Sequence, residues 1–448
     1  MSTPMAPATA SGPQPGHAPR DAKADSGPAP QGMAHTARKP RWGVAAVYLL
    51  GLLLMWGVYV LRSPSDAETT FRFTGSDVLF QIPEVTVPSW LTAVLLGVLF
   101  AGATAWVVWA KGRPPVWVHV VGGLAFITGT LVWAAAGTGA VVPVTSLLAG
   151  ALALSVPLIF GAMSGILCER SGVINIAIEG QLLFGAFAAA VVASLAANAW
   201  FGLIAAPIAG ALVGALLVLF AVVFRVDQII VGVVLNTLVL GLTGFFFSTL
   251  LSQDRQTWNA RQALPELPIP LLSEIPVLGP VLFKQTILVY LMYVLLVLLH
   301  VMLFRSTWGL RTRAIGEHPK AADTVGVDVN RLRVINTLIG GAVAGLGGAF
   351  FTIGAGLAFG RDMSAGNGFI ALAAMILGRW SPKGAVVAAL LFGFTKNLGN
   401  VLSSIGSPLP TDLLLMLPYL VTIVAVAGLV GKVRAPAAEG KAYVKGRS

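Results

Sequence analysis

Long apolar runs, parted by short polar breaks, make up the chain from residue 42 onward. Twelve such segments can be marked: 42–61, 90–110, 116–136, 145–168, 181–197, 201–224, 229–251, 286–304, 334–358, 367–378, 384–402 and 411–430. A helix rises ~1.5 Å per residue, so ~20 apolar residues cover a hydrocarbon core ~30 Å thick. The pattern predicts an all-α polytopic membrane protein with about 10–12 transmembrane segments. One or two of these are expected to be broken or short, and the run at 367–378 is too short to cross as an ordinary helix.

Small residues recur at helical spacing. Gly340, Ala344 and Gly348 share one face, as do Gly341 and Gly345, and Ala206, Gly210 and Gly214. Such faces predict close helix packing in lipid.

Composition agrees with the membrane reading. Of 448 residues, 56% are hydrophobic and only 10% are charged, well below a soluble domain. The net charge of +11 lies at segment ends and in alternate loops, which is a topology signal and not a nucleic-acid face. Residues 1–41, rich in Pro, Ala, Gly and Ser, are expected to be a disordered cytoplasmic N-terminal tail. Arg38, Lys39 and Arg41 place that tail inside; the first apolar run is too long for a cleaved signal peptide. Residues 62–89, with Asp66, Glu68, Asp77 and Glu84, suit the outside, as does the proline-rich loop 252–285. Residues 431–448 hold Lys432, Arg434, Lys441, Lys445 and Arg447 and read as a basic cytoplasmic tail. An even number of crossings puts both termini on the cytoplasmic side, provided 367–378 counts as one.

Enzyme chemistry has no foothold. Cys168 is the one cysteine, so no internal disulfide forms, and His17, His35, His119, His300 and His318 have no metal-ligand spacing. There is no P-loop, GxSxG or HExxH. No cofactor or metal is expected on this chain.

Three polar stretches stand out against this background. The first, ERSGVINIAIEGQLLFGAF at 169–187, places Glu169, Arg170, Asn175, Glu179 and Gln181 between two apolar runs, bracketed by Gly165, Gly172 and Gly180. A carboxylate at membrane depth is costly, and broken helices occur there only where they line a cavity or are buried in protein. One reading is a broken segment whose Asn175, Glu179 and Gln181 approach a passage; the other has Glu179 capping the next helix near its N-terminus. Glu169 and Arg170 read as markers of a helix end. Asn236, deep in VGVVLNTLVLG, can meet a polar solute or another helix.

The second stretch is the loop 309–334, the most polar internal segment. Pro319 starts and Gly326 stops a short helix holding Lys320, Ala321, Ala322 and Asp323, preceded by Glu317 and His318. Its slim alanine surface among basic residues suits docking in a groove of a cytoplasmic partner, and Asp328 or Asn330 can cap the next span. The third stretch, 366–400, has a short helix, a turn at Ser381-Pro382, and the polar residues Asn367, Lys396, Asn397 and Asn400.

Together these stretches resemble the permease subunits of ABC importers in the branched-chain amino acid and simple-sugar permease family. ERSGVINIAIEGQLLFGAF looks like its ERSGVxNxxxEGxxxxGAF signature, TRAIGEHPKAADTVGVDV like its coupling loop, and NGFIALAAMILGRWSPKGA like its short-helix segment. The likeness spans about 145–430, which implies a permease core there and leaves 42–140 as an N-terminal transmembrane extension. Glu179-Gly180 and GFIALA look closest to the nucleoside branch, with sugars or branched-chain amino acids as the alternative solutes. An ion-coupled secondary transporter is the competing class; it calls for paired intramembrane acids and inverted repeats.

The resemblance implies a permease in the plasma membrane that binds no cofactor itself, while ATP and Mg are used by a partner ATPase. It implies a cytoplasmic ABC ATPase, a second permease subunit in a heterodimer, and an extracellular substrate-binding lipoprotein. Residues 317–326 would be the ATPase coupling helix. Asn175, Glu179, Gln181, Asn236, Asn367 and Asn397 are the candidate pathway residues, in contact with a small-molecule substrate and surrounded by lipid.

Overall fold

A computed structural model describes residues 42–75, 80–111, 114–424 and 434–445. The expected tail at 1–41, and Asp77, Lys432 and Arg447, lie outside the described residues.

Among the described residues, ten helices are long and apolar enough to cross a membrane. They are α1 (Trp42–Val60), α2 (Ser89–Trp109), α3 (Val116–Ala135), α4 (Val144–Glu169), α5 (Ile178–Leu195), α6 (Ala199–Val223) and α7 (Gln228–Leu251). After the four-residue α8 (Arg255–Trp258) come α9 (Ile287–Arg305), α10 (Thr307–Glu317), α11 (Pro319–Thr324) and α12 (Val329–Gly354). The last are the short α13 (Asn367–Leu377), then α14 (Pro382–Ser404) and α15 (Thr411–Val424). Within the described residues each expected apolar run maps onto one helix, and 425–430 of the last run lie outside them. The largest shift is at α12, which begins five residues before the expected 334 because Asp328 accepts from Arg331 N at 3.0 Å and caps a polar first turn.

The few strands among the described residues lie in the loops expected outside, except one between α3 and α4. β1 (Glu68–Arg72) pairs antiparallel with β2 (Val85–Pro88) and parallel with β3 (Val141–Pro143). β4 (Glu266–Pro268) and β5 (Lys284–Thr286) form a hairpin base before α9.

α4 is the centre of the fold: 89% of its apolar window is buried, against 28% for α7 and for α9. Phe160, Ile159, Met163 and Ile166 pack it against α13, α14 and α12. Where α12 crosses α5 and α6 the expected small faces meet. A Cβ on Gly210 would lie 2.1 Å from Gly341 O, and one on Gly348 would lie 2.0 Å from Leu182 O. Backbone-to-backbone approach of this kind is what holds helices together where lipid competes for apolar surface. Helices α1–α3 form their own cluster around Tyr48, Phe100 and Val107. A second cluster joins Met55, Leu131 and Trp133 to Leu398, Val401 and Leu414, so the extension packs on α14 and α15. Arg72 and Glu84 form an exposed ion pair between β1 and the residues before β2.

The short helix α13 completes a crossing that begins with residues 355–366. Leu264 N donates to Ile353 O at 2.8 Å, so α12 ends beside the 252–286 loop. α13 ends at the other side of the bundle, where Trp380 Nε1 donates to Glu169 Oε2 at 2.5 Å. Residues 355–377 therefore traverse the bundle as an irregular segment plus a half-length helix.

Candidate substrate passage and coupling surface

The backbone breaks inside the bundle at 170–177, between α4 and α5. Gly172 takes φ +92°, and a Cβ there would lie 2.6 Å from Arg333 Nη2. Arg333, 1% exposed, donates from Nε to Ser171 O at 3.1 Å. Arg170 donates from Nε to Trp380 O at 3.0 Å. Thus Glu169 and Arg170 do mark a helix end, but they also grip the turn that follows α13. Arg379 and Trp380 in that turn sit at φ +57° and +51°, a left-handed pair that persists because its surroundings hold it.

Two side chains of α7 satisfy the broken backbone. Gln228 Oε1 accepts from Ile174 N at 2.7 Å. Asn236 donates to Ile176 O at 2.9 Å and accepts from Gly180 N at 2.8 Å. Asn236 is thus a clasp for the break. Gln228 went unnoticed in the sequence; its signal is that it stands eight residues, about two turns, before Asn236 on one apolar helix.

Glu179 lies in the first turn of α5, yet the helix it caps is α13. Oε1 accepts from Gly366 N at 2.8 Å and Oε2 from Gly368 N at 2.5 Å. A carboxylate at a helix N-terminus meets unsatisfied N–H groups and the positive end of the dipole. Packing there is tight, since a Cβ on Gly368 would lie 2.5 Å from Glu179 Cα.

Glu179 and Asn236 line one cavity of 290 Å³, with Gly180, Leu183, Val233, Thr237, Leu240, Asp362, Gly366 and Phe369. The other four candidates lie outside its lining. Asn175 and Gln181, both fully buried, bond each other, with Asn175 Nδ2 donating to Gln181 Oε1 at 3.0 Å and to Ser164 Oγ at 3.2 Å. Asn367 Nδ2 donates to Ser364 O at 2.7 Å. Asn397 Nδ2 donates to Leu147 O at 2.8 Å and locks α14 to α4. Asp362, Thr237 and Phe369 are lining residues that sequence reasoning missed. Phe369 is half-exposed on an apolar half-helix, and nothing in its local sequence separates it from a lipid-facing ring.

At the end of the bundle that holds Gly172, the polar loop folds into α10 and α11. His318 caps α11, with its Nδ1 accepting from Ala321 N at 3.4 Å, and Gly326 ends the loop at φ +86°. Glu317 ends α10, so the expected 317–326 unit is a helix end, a cap, and six residues of helix. Lys320, Ala321, Thr324 and Val325 are exposed. Ala322 is 4% exposed and packs on Ile315, Val329 and Tyr443, so of the two alanines only Ala321 faces outward.

This arrangement, a bundle with two backbone breaks meeting at a cavity and a short exposed helix at one end, fits a transport permease. The family model described as branched-chain amino acid transport system / permease component matches residues 147–426, and the chain belongs to this family. Over 305 residues it is 39% identical to the guanosine ABC transporter permease protein NupQ of Bacillus subtilis, covering 66% of this chain and 95% of that one. It is 37% identical over 310 residues to the nucleoside ABC transporter permease protein NupC of Lactococcus lactis, covering 67% and 97%. To the putative glucose ABC transporter permease protein TsgC13 of Haloferax volcanii it is 31% identical over 240 residues, covering 53% and 71%. No solved structure matches. The protein is a multi-pass membrane component of an ABC transporter and not an enzyme, and its family works with an ATPase and a substrate-binding partner.

Proposed function

We propose that this chain forms one wall of the passage of an ATP-driven nucleoside importer. The observation that carries the reading is the junction at Glu179. There the exit of the first break holds the start of the half-helix α13, across one cavity from Asn236. The relatives named for guanosine and nucleoside transport support the solute class. So does the lining: the Phe369 ring offers a flat apolar face, and Thr237 and Asp362 offer a hydroxyl and a carboxylate. A base can stack on the first and ribose hydroxyls can bond the others. A cavity of 290 Å³ is at the small end for a solute site, in keeping with a second permease subunit supplying the facing wall.

In this reading α11 docks into a cytoplasmic ATPase that uses ATP and Mg, and this chain holds no cofactor. An extracellular lipoprotein delivers the solute, and both termini face the cytoplasm. Glucose is the second solute reading, because of the likeness to TsgC13. Uptake of labelled guanosine, uridine, ribose and glucose by the assembled transporter in proteoliposomes tests it. Nucleosides are expected to be taken up and to compete with one another, and Phe369→Ala to weaken them more than ribose. Uptake of glucose alone would overturn the reading.

A further inference from the structure

The tail, expected from its sequence to be no more than basic and cytoplasmic, is docked over residues 434–445. Ala438 N donates to Gly316 O at 2.9 Å, and Gly440 N donates to Gly172 O at 3.2 Å. Two amides spaced two residues apart thus bridge the end of α10 and the first helix break. Arg333 closes the other side: Nη1 donates to Lys441 O at 2.8 Å while Nε holds Ser171 O. Ala437 N reaches Glu317 Oε2 at 3.4 Å. Tyr443, 8% exposed, packs on Ile315 and Ala322, which seats it behind the docking helix. The fit leaves little slack. A Cβ on Gly316 would lie 2.2 Å from Arg170 O, and Gly440 takes φ +74° with Ile174 Cδ1 2.8 Å from where its Cβ would be.

These contacts run from the tail to α10–α11, to the break at 170–174 and to Arg333 of α12, so the tail touches both the polar loop and the break. Thr312 already ties α10 to Asn336 of α12, and Gly316 lies against the Arg170 backbone. The tail adds an attachment that runs from α10 to Gly172 and passes a push on α11 to the backbone that Asn236 and Glu179 hold.

We propose that residues 434–445 are a strap, buckled by Arg333, that makes α11 and the first helix break move as one body. The inference rests on α11 being the ATPase contact. It concerns this chain's coupling efficiency, not solute choice or ATPase binding.

The test uses the whole transporter, with its ATPase, companion permease and binding protein, in proteoliposomes. It reads solute moved per ATP hydrolysed. Deletion of residues 434–448 and the point change Gly440→Val are each expected to lower that ratio roughly tenfold, with the ATPase still bound and hydrolysis continuing. Lys445→Ala, at an exposed position, is expected to leave it unchanged. Ala321→Glu is run beside them and is expected to release the ATPase. An unchanged ratio in Gly440→Val, or loss of the ATPase from it, overturns the strap. If the deletion fails to insert, Gly440→Val decides. If Ala321→Glu keeps the ATPase and normal uptake, the coupling reading itself falls and takes the strap with it. If only the strap variants are normal, the coupling reading stands alone.

Discussion

The chain breaks its helical backbone twice inside the bundle, and the two breaks are secured differently. At 170–177 the freed backbone groups are met by Gln228 and Asn236 of α7 and Arg333 of α12. At 355–366 the start is held by Asn259, which donates to Phe359 O at 3.0 Å and accepts from Phe359 N at 2.8 Å. Its end is held by Glu179, a residue from the exit of the first break. The first break is therefore clasped by the scaffold, and the second is clasped by the first. Unpaired backbone at membrane depth costs several kcal/mol, so both sets of bonds are obligatory. Only one, though, connects the breaks to each other. The start of the half-helix beside the cavity is joined to the exit of the first break by the Glu179 carboxylate, while its far end is joined to the entry of that break by Arg170 and Glu169.

That contrast ranks the substitutions. Glu179→Leu strips two amides of a charged acceptor, each such bond being worth about 1.5–3 kcal/mol, and is expected to cut uptake about 100-fold or more with the subunits still assembled. Glu179→Gln keeps one acceptor oxygen and is expected to fall between. Co-purification of the ATPase alongside an uptake assay checks both. Asn236→Leu leaves Gly180 N–H and Ile176 C=O unpaired at the first break, where Gln228 and Arg333 still act; a drop of roughly tenfold is expected. Equal losses from Glu179→Leu and Asn236→Leu would break the distinction between the two breaks. Asn397→Leu touches neither. It is expected to lower thermal stability by about 1–2 kcal/mol through its lost bonds to α4 and to leave uptake per folded molecule intact.

The smallest effect is that of pH on the strap. Burial raises the Glu439 carboxyl above the ordinary range, and the Glu169 carboxyl is the acid that faces it. A raised value in the docked state means docking is fully favoured below the free value and is weakened as pH rises through the raised one. Protease access to the tail is expected to grow with pH, and Glu439→Gln to flatten that curve.

Much of the fold was legible because membrane helices write themselves as apolar runs, and each run became a helix. Length alone made 367–378 look too short to cross. What it lacked was the irregular segment at 355–366, which carries the rest of the traverse but has no periodicity to read. The site was half legible. A polar residue in an apolar run announces that it needs a partner, and every candidate found one; it does not announce which. Asn175 and Gln181 look as suited to a passage as Glu179 does, and only the three-dimensional arrangement turns them toward each other. Glu179 sits where the alternative reading put it, in the first turn of α5, and spends its charge on another helix. The strap was illegible. Ala438 and Gly440 act through backbone amides, which composition does not register.

The two breaks meet at one cavity beside Glu179, and the proposed transport requires that this cavity admit the solute. Thiol labelling with a small, water-borne reagent tests it directly, because the native Cys168 is fully buried. With cysteine placed one at a time, Thr237→Cys and Phe369→Cys are expected to label and to be protected by nucleoside, whereas Gln181→Cys and Asn397→Cys stay unlabelled. Labelling and protection at 181 and 397, with none at 237 and 369, would contradict the account.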